Sequence, residues 1–356
     1  MATPAASPLA RYLLAAYVLL IAYASLYPLA SWRDQGVGAF AFLIASLPRY
    51  TSAFDVFANL AAYFPLGFLV AAIARVRHGA TFKIALGTIA GLSMSVAMEA
   101  LQSFIPSRHP SNLDVATNTA GALLGAIGGA VIAPRLLGPA GIIGLRERWF
   151  RAGAAIDFGV VIVALWLVTQ LNPEGLLFGA GSLRDVVDAV PSQHHGPIVF
   201  VRIEAAVVAS QLAAIGLFCG ALVATGRPAW LVGAAIVLAA LVVRAIAFAV
   251  LFTPAQMFAW VTRGALYGLA AGTVVFALAC LLPRVARMGL AGLLLMSATA
   301  LVNIAPANPY MAQTLQVWRQ GHFLNFNGLT GFVSSAWPFI ALAYLLAFGN
   351  RRSAQE

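Results

Sequence analysis

Ten long apolar runs, separated by proline, glycine and charge, fill most of this chain, and they limit its fold more severely than any other feature. They fall at about 9–30, 54–74, 82–104, 113–133, 156–171, 202–225, 229–252, 258–282, 288–305 and 331–348. Roughly 20 apolar residues in a helix cross the hydrocarbon core. The pattern therefore predicts an all-α, polytopic transmembrane helical bundle with about ten membrane-spanning helices. Composition removes the alternatives. The chain is 62% hydrophobic and 9% charged, with a mean hydropathy of +0.90, whereas a soluble domain carries about 25% charged residues. Too few charges remain to coat a water-facing surface, which excludes a cytosolic enzyme, a disordered chain and a secreted disulfide scaffold. Cys219 and Cys280 lie in separate apolar runs and predict neither a disulfide nor a thiol metal site.

The formal charge of +10 would suggest nucleic acid in a soluble protein, but in a membrane protein basic loops mark the cytoplasmic side. With the amino terminus inside, the inner segments hold thirteen basic residues, including Arg75, Arg77, Lys83, Arg146, Arg148, Arg284 and Arg287. The outer segments hold five, Arg33, Arg49, Arg108, Arg184 and Arg319. Both termini are thus expected to be cytoplasmic, and no nucleic-acid partner is expected. Arg11 before an apolar run, with Ala22-Tyr23-Ala24 near its end, also fits a cleavable signal peptide. The basic stretch around Arg146-Glu147-Arg148 divides the chain into a four-helix unit at 1–133, a cytoplasmic linker at 134–155 and a six-helix unit at 156–356.

An aspartate at the centre of a membrane helix costs about 2.5 to 3.5 kcal/mol, so each one demands a partner, a wet cavity or a function. Asp55 and Asn59 are four residues apart, as are Asp114 and Asn118, and Glu99 and Gln102 are three apart. Each spacing places the pair on one helix face. The orientation brings all six to the extracytoplasmic ends of the second, third and fourth helices, with Arg108 and His109 in the loop above them. Arg108 is positioned to neutralise a carboxylate. Gly121, Gly125 and Gly129, spaced by four, predict close helix packing, and Pro65 predicts a kink in the second helix.

The order Asp55-x3-Asn59-x4-Phe64-Pro65-Leu66-Gly67, then Glu99-x2-Gln102, then Arg108-x5-Asp114-x3-Asn118-x2-Gly121-x3-Gly125 resembles the VanZ-like family of bacterial membrane proteins. The resemblance covers about residues 54–133. It implies a multi-pass protein of the bacterial plasma (inner) membrane with a link to the cell envelope and to glycopeptide antibiotic resistance, and it carries no established reaction.

Beyond the resemblance, Glu204, Arg244 and Arg263 form a second polar group expected near the outer level, with Glu204 paired to Arg244 or Arg263. The outer connections hold Asp185, Asp188, His194 and His195, and a short interfacial helix is expected at 311–320 with Trp318 at headgroup depth. No ligand spacing for a metal appears, and no cofactor is expected.

Three functions fit these residues. The favoured one is non-enzymatic binding or protection at the extracytoplasmic face, with Asp55, Asn59, Glu99, Gln102, Arg108, Asp114 and Asn118 contacting a membrane lipid, a lipid-linked cell-wall precursor or an amphiphilic glycopeptide. The alternatives are an enzyme acting on a lipid headgroup, with Glu99 or Asp114 as base and His109 as acid, and a transporter lined by Glu204, Arg244 and Arg263. The same polar pairs would also serve simply to fasten helices together, since buried polar groups must be satisfied inside the protein.

Overall fold

A computed structural model describes residues 8–48, 52–74, 78–136, 141–184, 196–306 and 324–353. Asp185, Asp188, His194, His195 and the expected helix at 311–320 lie outside these residues. The described chain forms two units divided between Arg148 and Trp149, inside the basic stretch.

In the first unit, α1 (Pro8–Leu26) is followed by a short 3-10 turn at Ala41–Ile44, then α2 (Ala53–Ile73), α3 (Ala80–Gln102), α4 (Asn112–Val131) and the small helices α5 (Ala133–Leu136) and α6 (Ile142–Trp149). The second contains α7 (Ala154–Thr169), α8 (Pro197–Leu222), α9 (Ala229–Leu251), α10 (Arg263–Ala279), α11 (Arg284–Ile304) and α12 (Leu324–Ser353). Each predicted apolar run contains one helix. Among the described residues seven helices, α1, α2, α3, α8, α9, α11 and residues 327–348 of α12, are long and apolar enough to cross a membrane. The protein is therefore a multi-pass helical bundle. The other three depart from a plain span. α7 and α10 have 16 and 17 residues, about 25 Å at 1.5 Å per residue, and α4 opens with Asp114, Thr117 and Asn118.

The glycines of α4 explain how α2 and α4 pack. A Cβ on Gly121, Gly125 or Gly129 would come within 2.3, 1.9 and 2.4 Å of the carbonyl oxygens of Leu60, Phe64 and Phe68. These carbonyls are themselves four apart, so the two helices meet backbone to backbone over two turns, the close approach that small residues at this spacing permit. Pro65 lies within α2 without ending it. Such tight contact holds the starts of α2 and α4 beside each other, and the end of α3 is tied to both by polar side chains.

In the second unit, α8 is the most enclosed span, with 72% of its apolar stretch buried. Its core includes Trp166, Phe178, Phe218 and Trp337. Trp337 donates its indole N–H to the Ile162 carbonyl at 2.7 Å, and Tyr344 donates to the Ala155 carbonyl at 2.9 Å. The connection after α7 folds into this core as irregular backbone, since Leu177, Phe178 and Ala180 are buried. Asn303 holds it by donating to the Gly181 carbonyl at 2.7 Å and accepting from the Leu183 amide at 2.8 Å.

Candidate functional site

Ser52, itself in an extended conformation, caps α2. Its hydroxyl accepts from the Asp55 amide at 3.1 Å, while the Asp55 carboxylate accepts from the Ser52 amide at 3.3 Å and hydroxyl at 2.6 Å. This is a reciprocal capping box. Asp55 is exposed and its carboxylate serves the helix start. One turn further, Asn59 donates to Asp114 at 3.0 Å and to the Thr117 hydroxyl at 3.4 Å. One turn beyond that, buried Tyr63 interacts with Ser95 on α3. Ser95 also accepts from Asn118 of α4 at 2.9 Å.

Glu99 follows Ser95 by one turn and is only 4% exposed. Its carboxylate accepts from the Ser111 amide at 2.8 Å. Ser111 is the cap of α4, and its hydroxyl accepts from the Leu113 and Asp114 amides. Glu99 therefore sits at the amino-terminal end of α4, where unpaired amides and the helix dipole favour negative charge. Glu99 and Asp114 lie close enough for their charges to interact.

Arg108 does not pair with these carboxylates through hydrogen bonds. Its guanidinium donates to the Tyr27 carbonyl at 2.9 and 2.6 Å and to the Ala24 carbonyl at 3.1 Å, closing the end of α1. Burial lowers its pKa from the ordinary arginine value, and the Glu99 charge opposes that shift. Gln102 likewise donates to the Ser25 carbonyl at 2.8 Å.

Of the seven residues expected at the site, Asn59, Glu99, Asp114 and Asn118 converge between α2, α3 and α4. Gln102 and Arg108 lie beside them and bind the last turn of α1, and Asp55 caps α2 at the rim. Tyr63, Ser95 and Thr117 also belong to the cluster. Extending the spacing that links Asp55 to Asn59, and Asp114 to Asn118, finds two of them: Tyr63 is four residues after Asn59, and Ser95 four before Glu99. Asn118 is 6% exposed and its Oδ1 is buried without a hydrogen-bond partner. Such an atom costs about 1–3 kcal/mol when left unpaired. The cluster is acidic and acceptor-rich, so a group that donates hydrogen bonds complements it. Among the described residues, no group of three or more His, Cys, Asp and Glu could hold a metal ion.

The second polar group is arranged differently from its expected ion pair. Arg244 is buried and donates to the carbonyls of Asn172 and Gly175, on the irregular segment after α7. Non-helical backbone in a membrane protein persists where protein satisfies its polar groups, and Arg244 does so here. Its guanidinium also lies 5.0 Å from the centre of the Phe248 ring. Glu204 interacts electrostatically with Arg244 and with the Thr262 side chain, and it packs over Gly264, where a Cβ would lie 2.3 Å from Oε2. Arg263 is exposed. Gln211, in the middle of α8, is fully buried with both amide atoms unpartnered.

Residues 12–133 match the VanZ/LLP1 family. The match covers α1 through α4 and all seven residues of the first cluster. No curated protein and no solved structure matches the chain.

Proposed function

Taking residues 12–133 as a VanZ-like unit, we propose that the protein binds the polar head of an amphiphile at the extracytoplasmic face of the bacterial plasma membrane. An envelope lipid, a lipid-linked cell-wall precursor and an amphiphilic glycopeptide antibiotic all belong to this class. The observation that carries the reading is the unpartnered Asn118 Oδ1 in the cluster that also holds buried Glu99. These acceptors call for a headgroup that donates, through an ammonium, hydroxyl or amide, and Asn59 and Asp114 extend the acceptor surface towards the rim. Arg108 and Gln102 act by holding α1 against the cluster. A role in antibiotic resistance follows from this reading when the bound head is that of the drug or its target.

The test is mass spectrometric identification of lipid and glycan retained by the gently purified protein, followed by titration with the compound found. Glu99→Gln keeps an acceptor for the Ser111 amide but removes the charge, and Asn118→Leu removes the unpartnered oxygen. Each is expected to weaken binding by about tenfold or more, the loss of one hydrogen bond involving a buried or charged group. Unchanged affinity in both would reject the site. The Glu99 and Asp114 carboxylates also support acid-base chemistry on the head, and conversion of the bound compound during incubation would establish that second reading.

A further inference from the structure

The connection between α1 and α2 carries an apolar segment that belongs to neither helix. Residues 36–48 hold no charge, while Arg33 and Asp34 precede them and Arg49 follows. Within this stretch Val37, Phe40, Leu43, Ile44 and Leu47 are exposed, Ile44 by 91%. A connection that ran through water would not hold so many large apolar side chains out together, and a patch of this kind marks a surface for protein or membrane. An apolar run of this length is too short to cross a bilayer and suits an interfacial segment.

Three tethers fix the segment at the rim of the bundle. The Arg33 amide donates to the Phe104 carbonyl at 2.9 Å and the Gln35 side chain to the Ser103 carbonyl at 2.6 Å, just past the end of α3. Asn112, the first residue of α4, donates to the Ala45 carbonyl at 2.6 Å. Between these tethers the 3-10 turn at Ala41–Ile44 has two sides. Phe42 is only 6% exposed, whereas Phe40, Leu43 and Ile44 around it are open. The amides of Ala41, Leu43 and Ala45 are paired within the segment, so less backbone is left bare for an apolar surrounding to penalise.

We infer that residues 37–47 insert into the outer leaflet, with their apolar side chains at the boundary between headgroups and acyl chains. Lipid is the partner because the patch continues a surface that faces the bilayer. α2 is long and apolar enough to span, its Phe57 and Phe64 are exposed, and its first turns lie beside those of α4, where Asn59 meets Asp114 and Asn112 holds the segment. Trp32, exposed just before the run, is the residue type that membrane proteins concentrate at headgroup depth, and the loop charges put this end outside. A second copy of the chain fits less well, since five such side chains fall short of the roughly 800 Å2 per partner that a stable protein interface buries. Asn112 is two residues from Asp114, so the insertion sets the rim of the polar cluster at headgroup depth. The inference holds whichever head that cluster takes, and stands if it takes none.

Full-length protein carrying Cys280→Ser is given one further cysteine, at Ile44→Cys, Leu47→Cys, Asp34→Cys or Phe57→Cys, and labelled with a nitroxide. Cys219 is buried, and the Cys280→Ser protein alone reports any label it takes. In phosphatidylcholine nanodiscs, power-saturation EPR compares collision of each label with oxygen, which concentrates in lipid, and with a water-soluble nickel chelate. Asp34 supplies the water reference and Phe57 the lipid reference. Labels at Ile44 and Leu47 are expected to favour oxygen over nickel several-fold more than the label at Asp34 does. Both sites are exposed, so labelling disturbs no packing, and each checks the other. Nickel access equal to that at Asp34 would overturn the inference. Exclusion of both reagents would also overturn it, because protein would then cover the patch, and dipolar broadening would identify that cover as a second copy.

Discussion

The two units solve the same problem, packing helices where no water drives them together, with different materials. In the amino-terminal unit α2 and α4 touch through glycines against carbonyls, so their contact contains almost no side chain that can move aside. In the carboxy-terminal unit Gly268 and Gly272 also admit α8 closely, but the centre is filled by rings. Phe276 occupies the space beside both Gly216 and Gly233, where an added Cβ would lie 2.7 Å from ring atoms. A backbone contact has no slack, whereas a ring can turn. The first unit thereby fixes the starts of α2 and α4 with little tolerance, and its polar side chains tie α3 and the end of α1 to that frame.

The comparison breaks most visibly at Gly125. Its Cβ would sit 1.9 Å from the Phe64 carbonyl oxygen, and Gly125→Val is expected to abolish the folded amino-terminal unit. Gly216→Ala meets the Phe276 ring instead and is expected to cost about 1–3 kcal/mol. Thermal unfolding of the purified proteins decides it. Equal losses would remove the distinction between backbone and ring contact. Next in size is Trp337→Ala. It empties a buried site and leaves the Ile162 carbonyl without its indole donor, for an expected loss of about 3–5 kcal/mol. A smaller loss would mean that the aromatic core closes around the cavity.

Arg244→Met comes third. It leaves the carbonyls of Asn172 and Gly175 unpaired and takes the nearby charge from Glu204. A loss of about 3 kcal/mol is expected, with proteolysis appearing first in the segment 171–184. Glu204→Gln added to Arg244→Met is expected to recover part of the stability, since it removes the uncompensated charge. No recovery would reduce the role of Arg244 to satisfying backbone.

Much of this was legible in the sequence, and the misses have physical causes. Among the described residues each apolar run holds one of the longer helices, seven of them long and apolar enough to cross a membrane, because a lipid-crossing helix needs a long uninterrupted apolar stretch. The four-residue spacings of Asp55, Asn59, Asp114 and Asn118 located the polar cluster because side chains four apart share a face. The acidic charges near Arg108 and Arg244 were legible, but their hydrogen-bond partners were not. Both donate to backbone carbonyls, and every residue has one, so nothing in the sequence marks which will be left unpaired. The expected ion pairs came from reading side chains only. Ser95 and Thr117 were missed because hydroxyls in apolar helices usually return to the carbonyl one turn back, as Thr117 does towards Leu113 at 3.0 Å, and so raise no demand for a distant partner.

The smallest expected effect sharpens the boundary between fold and site at the rim. Ser52 and Asp55 cap α2 reciprocally, so Ser52→Ala and Asp55→Ala should each cost about 1 kcal/mol. The double variant should cost clearly less than the sum, because each single change already disables the box. Thermal unfolding of the four proteins gives the coupling. Additive losses would mean that the Asp55 carboxylate stabilises something other than the cap. Asp114, whose charge interacts with that of Asp55, would then be the first candidate, and the acidic cluster would extend one turn further towards the rim than its hydrogen bonds indicate.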